Sequence, residues 1–194
     1  MGEMGEDRQV AGIPGRVGLT ILESAAQLVA RDGDAASMAD VAAAAGVARA
    51  TVYRYFPNRR ALLDDLAKMA IADVDARLRA ARIDEVAPLE AVTRAVRTLV
   101  EGREYTALLI AARAGREPEG FERHVAAPLR AALERAQRAK LIRSDIPSSW
   151  LAETLLGLVG SAFRASPPMG REDMVATVTS LLLEGALETS AHVP

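Results

Sequence analysis

Cysteine is absent from the 194-residue chain, and aromatic residues make up only 4% of it. The absence of cysteine excludes a disulfide framework and a thiolate metal site, and it agrees with a reducing, cytoplasmic location. No run approaches the roughly 18 apolar residues of a membrane span, so no membrane partner is expected. Because aromatics are scarce while alanine, leucine and arginine abound, the composition favours packed helices over strands.

Sequence signatures of catalysis are also missing. The chain has two histidines, and one of them, His192, lies in its last few residues. There is no glycine-rich phosphate loop, no His-Glu-x-x-His helix and no nucleophile elbow. Asp64, Asp65, Asp73 and Asp75 are interpreted as solvated charge on one helix. We therefore expect neither an enzyme nor a bound metal or cofactor.

The overall charge argues weakly against a nucleic-acid partner, because the formal net charge is −2 and nucleic-acid binders are often basic. The local distribution of charge matters more than the total. Between Asp40 and Asp64 the chain has no acid and four arginines, which are Arg49, Arg54, Arg59 and Arg60. Four guanidinium groups on one face would dominate the field within a Debye length of about 8–10 Å.

Residues 37–62 carry the pattern of a helix-turn-helix. Ser37 and Asp40 have the spacing of a capping box at the start of a short helix. Gly46 stands where a left-handed residue is needed to turn the chain. The residues predicted to face inward are Val41, Ala42, Ala45, Val47 and Val52. Two short helices joined in this way form a DNA-binding unit.

The second short helix has a face suited to reading DNA. At about 100° per residue, an inward Val52 places Ala50 and Arg54 on the opposite side, with Thr51 and Tyr53 on the flanks. An outward arginine can pair with a guanine edge, and hydroxyls on the flanks suit phosphate oxygens. The alternative is an ordinary alanine-rich helical hairpin with solvated arginines, which the combination of cap, turn, tyrosines and arginines disfavours.

This pattern resembles the TetR family of one-component bacterial transcription regulators over about residues 16–66. The resemblance rests on Ile21-Leu22-x-x-Ala25-x-x-Leu28-Val29, on Ala44-Ala45-Gly46-Val47, and on Thr51-Val52-Tyr53-x-Tyr55-Phe56-x-Asn58-Arg59-x-x-Leu62-Leu63. It implies phosphate contacts from Ser37, Thr51, Tyr53, Tyr55 and Arg59. Two departures are Ala48, where serine is usual, and Ala50, where glycine is frequent. The complete set of candidate DNA-binding residues is Ser37, Ala48, Arg49, Ala50, Thr51, Tyr53, Arg54, Tyr55 and Arg59.

The predicted fold is all-α, with about nine helices in two domains. Residues 1–15 are expected to be a disordered tail, in which Arg8, together with Arg16 just beyond, forms either a minor-groove arm or part of an unstructured leader. A three-helix DNA-binding domain follows over residues 16–66, and a ligand-binding and dimerisation domain over residues 67–194. The helices expected after the turn span from Asn58 towards Arg82, 88–102, 104–113, about 121–139 with a kink at Pro128, 148–164 and 171–188, with a loop at 115–120.

The last two helices carry the signal for association. Each has an apolar stripe, and two such helices from each of two subunits would form a four-helix interface. The candidate interface residues are Leu155, Gly157, Gly160, Phe163, Arg164, Val175, Val178 and Leu182. The alternative is that both helices only close the core of one subunit. A two-fold homodimer predicts a palindromic operator, read by heads about 34 Å apart.

The resemblance also implies a small-molecule effector, bound in the second domain, that releases a repressor from its operator. The candidate pocket residues are Met69, Arg103, Tyr105, Leu108, Leu109, Arg113, Phe121, His124 and Trp150. Taken singly, each of them is more often a core or solvated surface residue than a ligand contact. The alternative function is a helix-turn-helix regulator whose second domain only dimerises or docks a protein, without a small-molecule ligand.

Overall fold

The computed structural model describes residues 15–32, 36–113 and 117–185, which form nine α-helices and no strand. The helices are α1 (Arg16–Asp32), α2 (Met38–Ala44), α3 (Arg49–Tyr55), α4 (Arg59–Ala80), α5 (Pro88–Glu101), α6 (Arg103–Ala112), α7 (Ala127–Arg138), α8 (Ser148–Phe163) and α9 (Arg171–Gly185). A π-helical turn, Glu122–Ala126, leads directly into α7. The expectation of an all-α fold with about nine helices is confirmed. No helix in this part of the chain is long and apolar enough to cross a membrane.

The chain divides into two compact units, Met1–Met69 and Ala70–Pro194. The division lies inside α4, a few residues after the predicted boundary at residue 66. The expected N-terminal tail, including Arg8, lies outside the described residues except for Gly15, and so do residues 186–188 of the expected last helix.

The core of the first unit is built by α1, α2, α3 and the start of α4. Val52 is the one fully buried side chain of the seven-residue α3, and it is 0% exposed. Phe56, which ends α3, is also buried. The remaining core residues of this unit include Ile21, Leu22, Ala25, Met38, Val41, Ala42, Leu62 and Leu66. Because α2 and α3 have only two turns each, these contacts rather than helix propensity hold them in place.

The turn between α2 and α3 has the predicted left-handed residue. Gly46 has a φ of 66°, and the next amide, that of Val47, donates to the carbonyl of Ala42 at 3.0 Å. Nothing lies within 4 Å of the position that a Cβ on Gly46 would occupy. The glycine is therefore required by the backbone conformation and not by crowding. Ala45, which we expected to face inward, is only partly buried.

The second unit packs α5, α7, α8 and α9 around a shared aliphatic core. Pro88 occupies the first turn of α5, as expected, and Gly102 follows its last residue. The central residues of this core are Val92, Val96, Leu99, Leu129, Leu133, Leu155, Val159, Val178 and Leu182. All of them are aliphatic, which agrees with the scarcity of aromatic residues in the sequence.

The segment before α7 differs from the expected helix kinked at Pro128. The chain instead widens into the π-helical turn, in which the amide of Ala127 donates to the carbonyl of Glu122. Proline has no amide hydrogen, and its ring would collide with the carbonyl four residues earlier in an α-helix. The wider turn before Pro128 relieves that collision, so the chain continues into α7 without a break.

An exposed ion pair ties α5 to α9. Arg97 Nη1 lies 2.7 Å from Glu172 Oε1, and this hydrogen bond lowers the pKa of the Glu172 carboxyl. A lowered pKa means that the pair stabilises the fold at neutral pH and that this contribution disappears as the pH falls through the folded-state pKa. Both side chains are exposed to solvent, so salt weakens the pair.

We expect Gly46→Ala to destabilise the protein by about 1 kcal/mol, because the left-handed backbone conformation is unfavourable for a residue with a Cβ. Gly46→Asn is the matched control, since asparagine tolerates this conformation better and the site has open space for its side chain. Urea unfolding followed by circular dichroism, at one protein concentration, measures both. Equal stability of the alanine variant and the wild type would contradict the backbone explanation.

Candidate nucleic-acid interface

The interface begins at the capping box of α2. The amide of Asp40 donates to Ser37 Oγ at 3.2 Å, and the amide of Ser37 donates to Asp40 Oδ2 at 2.9 Å. Ser37 Oγ also donates to Asp40 Oδ2 at 2.6 Å. The predicted capping box is therefore present, and it fixes the start of α2. Because the hydroxyl proton of Ser37 points to a carboxylate, a phosphate contact from this hydroxyl requires the proton to turn outward.

A cleft of about 320 Å³ opens beside this capping box. Four of the predicted DNA-binding residues line it, namely Ser37, Arg49, Tyr53 and Arg59. The other lining residues, which sequence reasoning missed, are Ala36, Met38 and Ala39. Their proximity to the Ser37 cap was the only signal available in the sequence.

Both arginines of the cleft are held in place. Arg59 Nε donates to the carbonyl of Ala36 at 3.3 Å, which fixes the first turn of α4 against the start of α2. The guanidinium of Arg49 lies 6.0 Å from the centroid of the Tyr53 ring. A cleft with two guanidinium groups, a phenol and a serine hydroxyl is suited to a phosphate oxygen.

The outer face of α3 agrees with the helical geometry expected from Val52. Ala50, Tyr53 and Arg54 are exposed, and Thr51 is partly buried. The guanidinium of Arg54 lies 5.3 Å from the Tyr55 ring, so this half-buried tyrosine supports the arginine that we expect to read a base. Ala48 precedes α3 without a side-chain cap, because alanine has no side-chain oxygen that could accept a hydrogen bond from the first amides of the helix.

The start of the next helix, α4, is also fixed by a cap. Asn58 Oδ1 accepts a hydrogen bond from the amide of Ala61 at 2.9 Å, at the start of α4. This cap places Arg59 and Arg60 in the first turn of α4. The four arginines between Asp40 and Asp64 thus come from α3 and from the adjoining end of α4.

The candidate effector residues are divided between the two units. Met69 belongs to the first unit, and the others belong to the second. Leu108 and Leu109 are buried on α6, where Tyr105 is partly buried. Arg103 Nη2 donates to the carbonyl of Phe163 at 2.7 Å, and its guanidinium lies 4.9 Å from the Phe163 ring.

Three further candidates for the pocket already have partners or face solvent. Trp150 was expected in an apolar cavity, and this was wrong, because its side chain is 61% exposed at the start of α8. His124 Nδ1 lies 3.3 Å from Asp75 Oδ2. Arg113 lies over the ring of Phe121, with its guanidinium carbon 4.0 Å from the centroid.

The expected dimer stripe is also corrected in part. Five of its residues are buried within their own subunit, which removes them from a surface that a second subunit could contact: Leu155, Gly160, Val175, Val178 and Leu182. The apolar stripes of α8 and α9 face the core shared with α5 and α7. Gly157 and Arg164 are exposed and Phe163 is partly exposed, whereas Leu181, which was not in the set, is 58% exposed.

Comparisons with known proteins agree on the family. A model of the family described as "Bacterial regulatory proteins, tetR family" matches residues 21–66. The HTH-type transcriptional repressor LfrR of Mycolicibacterium smegmatis is 30% identical over 175 residues, which cover 84% of this chain and 87% of LfrR.

Solved structures show the same fold. A crystal structure of LfrR from Mycobacterium smegmatis in complex with proflavine matches with a TM-score of 0.72 and 25% identity, over 90% of this chain and 98% of LfrR. The regulator PfmR from Thermus thermophilus matches with a TM-score of 0.64 and 24% identity, over 87% of this chain and 99% of PfmR. The chain has a helix-turn-helix with an arginine-lined cleft, and the repressor LfrR aligns with it over most of both chains. We conclude that this chain is a transcriptional regulator of the TetR family.

Proposed function

We propose that this regulator represses transcription by binding a palindromic operator as a homodimer, and that a small-molecule effector releases it. The observation that carries the DNA-binding part is the cleft where Ser37, Arg49, Tyr53 and Arg59 meet, beside the outward Arg54. The cleft supplies donors for phosphate oxygens, and Arg54 supplies the bidentate donor for a guanine edge.

The exposed surface of α8 and α9 supports the homodimer. Gly157 is exposed, and nothing lies within 4 Å of the position of its missing Cβ, so a second helix can approach α8 closely there. Leu181 presents an apolar side chain on α9, which packs against α8. A two-fold dimer through this face pairs two reading heads, as a palindromic operator requires.

A similar protein supports the effector. LfrR, a repressor, has been crystallised in complex with proflavine. Helix α4 spans the division between the two units, so one continuous helix connects the reading unit to the second unit. An effector that binds the operator-incompetent arrangement more tightly weakens operator binding by the same factor by which the operator weakens effector binding.

We expect Arg54→Ala to weaken binding to the cognate operator by about 1–3 kcal/mol per base pair read and to reduce the preference over random DNA. Arg59→Ala should weaken both DNAs by a similar factor and lower the slope of log affinity against log salt by about 1 per subunit. Fluorescence anisotropy on a footprinted site, at several salt concentrations, separates these effects.

Arg138→Ala is the control for those two variants, because Arg138 is an exposed residue at the end of α7 in the second unit. It should bind both DNAs as the wild type does. An equal loss on cognate and random DNA for Arg54→Ala would disprove base reading by Arg54.

We expect Leu181→Glu to raise the dissociation constant of the dimer by about a hundredfold or more, since the two-fold axis brings two buried carboxylates to one interface. Leu141→Glu is the matched control, because Leu141 is a 40% exposed leucine in the loop before α8. Analytical ultracentrifugation measures both dissociation constants. A dimer that tolerates Leu181→Glu as well as Leu141→Glu would not use this face.

We expect an effector to lower operator affinity by about 5–150-fold, the usual range of coupling between two sites. Proflavine is the first compound to test, with labelled operator in an anisotropy titration. A titration of operator without protein corrects for direct binding of the dye to DNA. If neither proflavine nor other compounds shift operator affinity, the second unit instead dimerises or docks a protein without a small-molecule ligand.

A further inference from the structure

Arg113 occupies an aromatic and acidic site inside the second unit. It follows the last residue of α6, and its guanidinium carbon lies 4.0 Å from the centroid of the Phe121 ring. Its Nη2 donates to Glu153 Oε1 on α8 at 2.7 Å and lies 4.0 Å from Glu117 Oε2. The face of a buried ring and a carboxylate thus bind a planar cation, which the chain itself provides. We call these four residues the Arg113 site.

One hydrogen-bond donor of Arg113 itself has no partner in this site. Phe121 is 0% exposed and the side chain of Arg113 is only 20% exposed, so both are largely withdrawn from water. Among the residues that the structure describes, Nε of Arg113 is buried without a hydrogen-bond partner. A buried donor without a partner is costly. Displacement of Arg113 by another planar cation would therefore remove this cost from the chain while the ring and carboxylate contacts are kept.

An open groove adjoins the Arg113 site through Glu153, which belongs to both. It has a volume of about 370 Å³. One wall is the start of α8, and the other is the π-helical turn together with the first turn of α7. Ala126, Pro147 and Ala152 provide apolar lining, and Trp150 provides an exposed indole. Glu153 lines the groove and also binds Arg113, so the two sites share this carboxylate. Trp150 thus lies on an open groove that is connected through Glu153 to two other predicted pocket residues, Arg113 and Phe121.

The charges around the groove allow one cation to replace another. Glu122, also in the groove, is already paired with Arg130 at 2.7 Å, whereas Glu153 is paired with Arg113. If Arg113 moves away, Glu153 can pair with an incoming cation. Arg113 can then turn towards the half-exposed Glu117. Each carboxylate keeps a positive partner, so the exchange leaves no buried charge uncompensated.

We propose that the groove and the Arg113 site together bind a flat organic cation, with Arg113 as the resident competitor. The delocalised charge of the ligand lies over Phe121 and pairs with Glu153, and its aromatic part lies along the groove beside Trp150. This inference rests on the proposed effector response and assigns the chemical class of the effector. Glu153 and Trp150 lie one and two turns before Gly157 on the same face of α8, so the site adjoins the surface proposed for the dimer.

The test uses phenylguanidinium as the probe and phenylurea as its neutral analogue of similar shape. Trp150 is the only tryptophan in the chain, so its fluorescence reports binding in the groove directly, without DNA. Wild type, Arg113→Met and Glu153→Gln are titrated with both compounds. We expect phenylguanidinium to bind Arg113→Met about tenfold more tightly than wild type, because the competitor is gone. Glu153→Gln should bind it about tenfold more weakly, and phenylurea should show neither change.

A second ion pair in this unit provides matched controls. Arg97→Met and Glu172→Gln remove an arginine and a glutamate that are also 2.7 Å apart, but on α5 and α9. Both variants should bind phenylguanidinium as the wild type does. Circular dichroism checks the fold of each variant. If Arg113→Met does not fold, the affinities of wild type and Glu153→Gln for phenylguanidinium are compared instead, and equal affinities contradict the proposal.

The proposal is wrong if phenylguanidinium does not bind folded Arg113→Met, or if Glu153→Gln leaves the dissociation constant for phenylguanidinium unchanged. Either result leaves the regulator's DNA binding untouched, because the titration contains no DNA. Operator titrations of the same variants, with and without phenylguanidinium, test separately whether the site is coupled to operator binding. If Arg113→Met binds the probe as expected while operator affinity does not respond, the site exists but is not coupled to repression.

Discussion

The reading of DNA depends on one buried side chain, Val52. Helix α3 is two turns long and contributes this single fully buried residue to the core of its unit. Such a helix has no stability of its own, so its rotation about its axis is set by where Val52 inserts. That rotation in turn decides that Arg54 and Ala50 face outward and that Tyr53 turns towards the cleft. A different residue in the core would present a different face to the DNA.

Short-range features of the first unit could be predicted because each has a local cause. The Ser37–Asp40 capping box, the left-handed Gly46 and the Asn58 cap are decided within a few residues of sequence. The cleft could be predicted only in part. Its arginines follow from the helix positions, but the bond from Arg59 to the carbonyl of Ala36 joins residues far apart in the chain, and no spacing rule reports it.

The second unit shows where such reasoning fails. An apolar stripe on a helix indicates that the stripe is buried, but not whether its partner is the same subunit or another one. The stripes of α8 and α9 therefore correctly predicted that their residues are buried. They wrongly placed this burial between two subunits, because Leu155 and Val178 are buried within one subunit. Trp150 failed for the opposite reason, since a large aromatic residue is usually buried and this one lies on a groove.

Helix α6 stands out in the second unit because both of its ends are held by arginines on aromatic rings. Arg103 lies over Phe163 at one end, and Arg113 lies over Phe121 at the other. Between them, Thr106 is fully buried, and its hydroxyl has no hydrogen-bond partner among the described residues, as is also true of Arg113 Nε. Unpartnered buried groups raise the free energy of the arrangement that contains them, and therefore lower the cost of leaving it.

The two ends of α6 differ in how firmly they are fixed. Arg103 also donates to the carbonyl of Phe163 at the end of α8, so its contact combines a ring, a hydrogen bond and a helix terminus. Arg113 has a carboxylate that a competing cation can also use. If a cation displaces Arg113, α6 loses this contact at its C-terminal end, while Arg103 and the buried Leu108 and Leu109 still hold the helix.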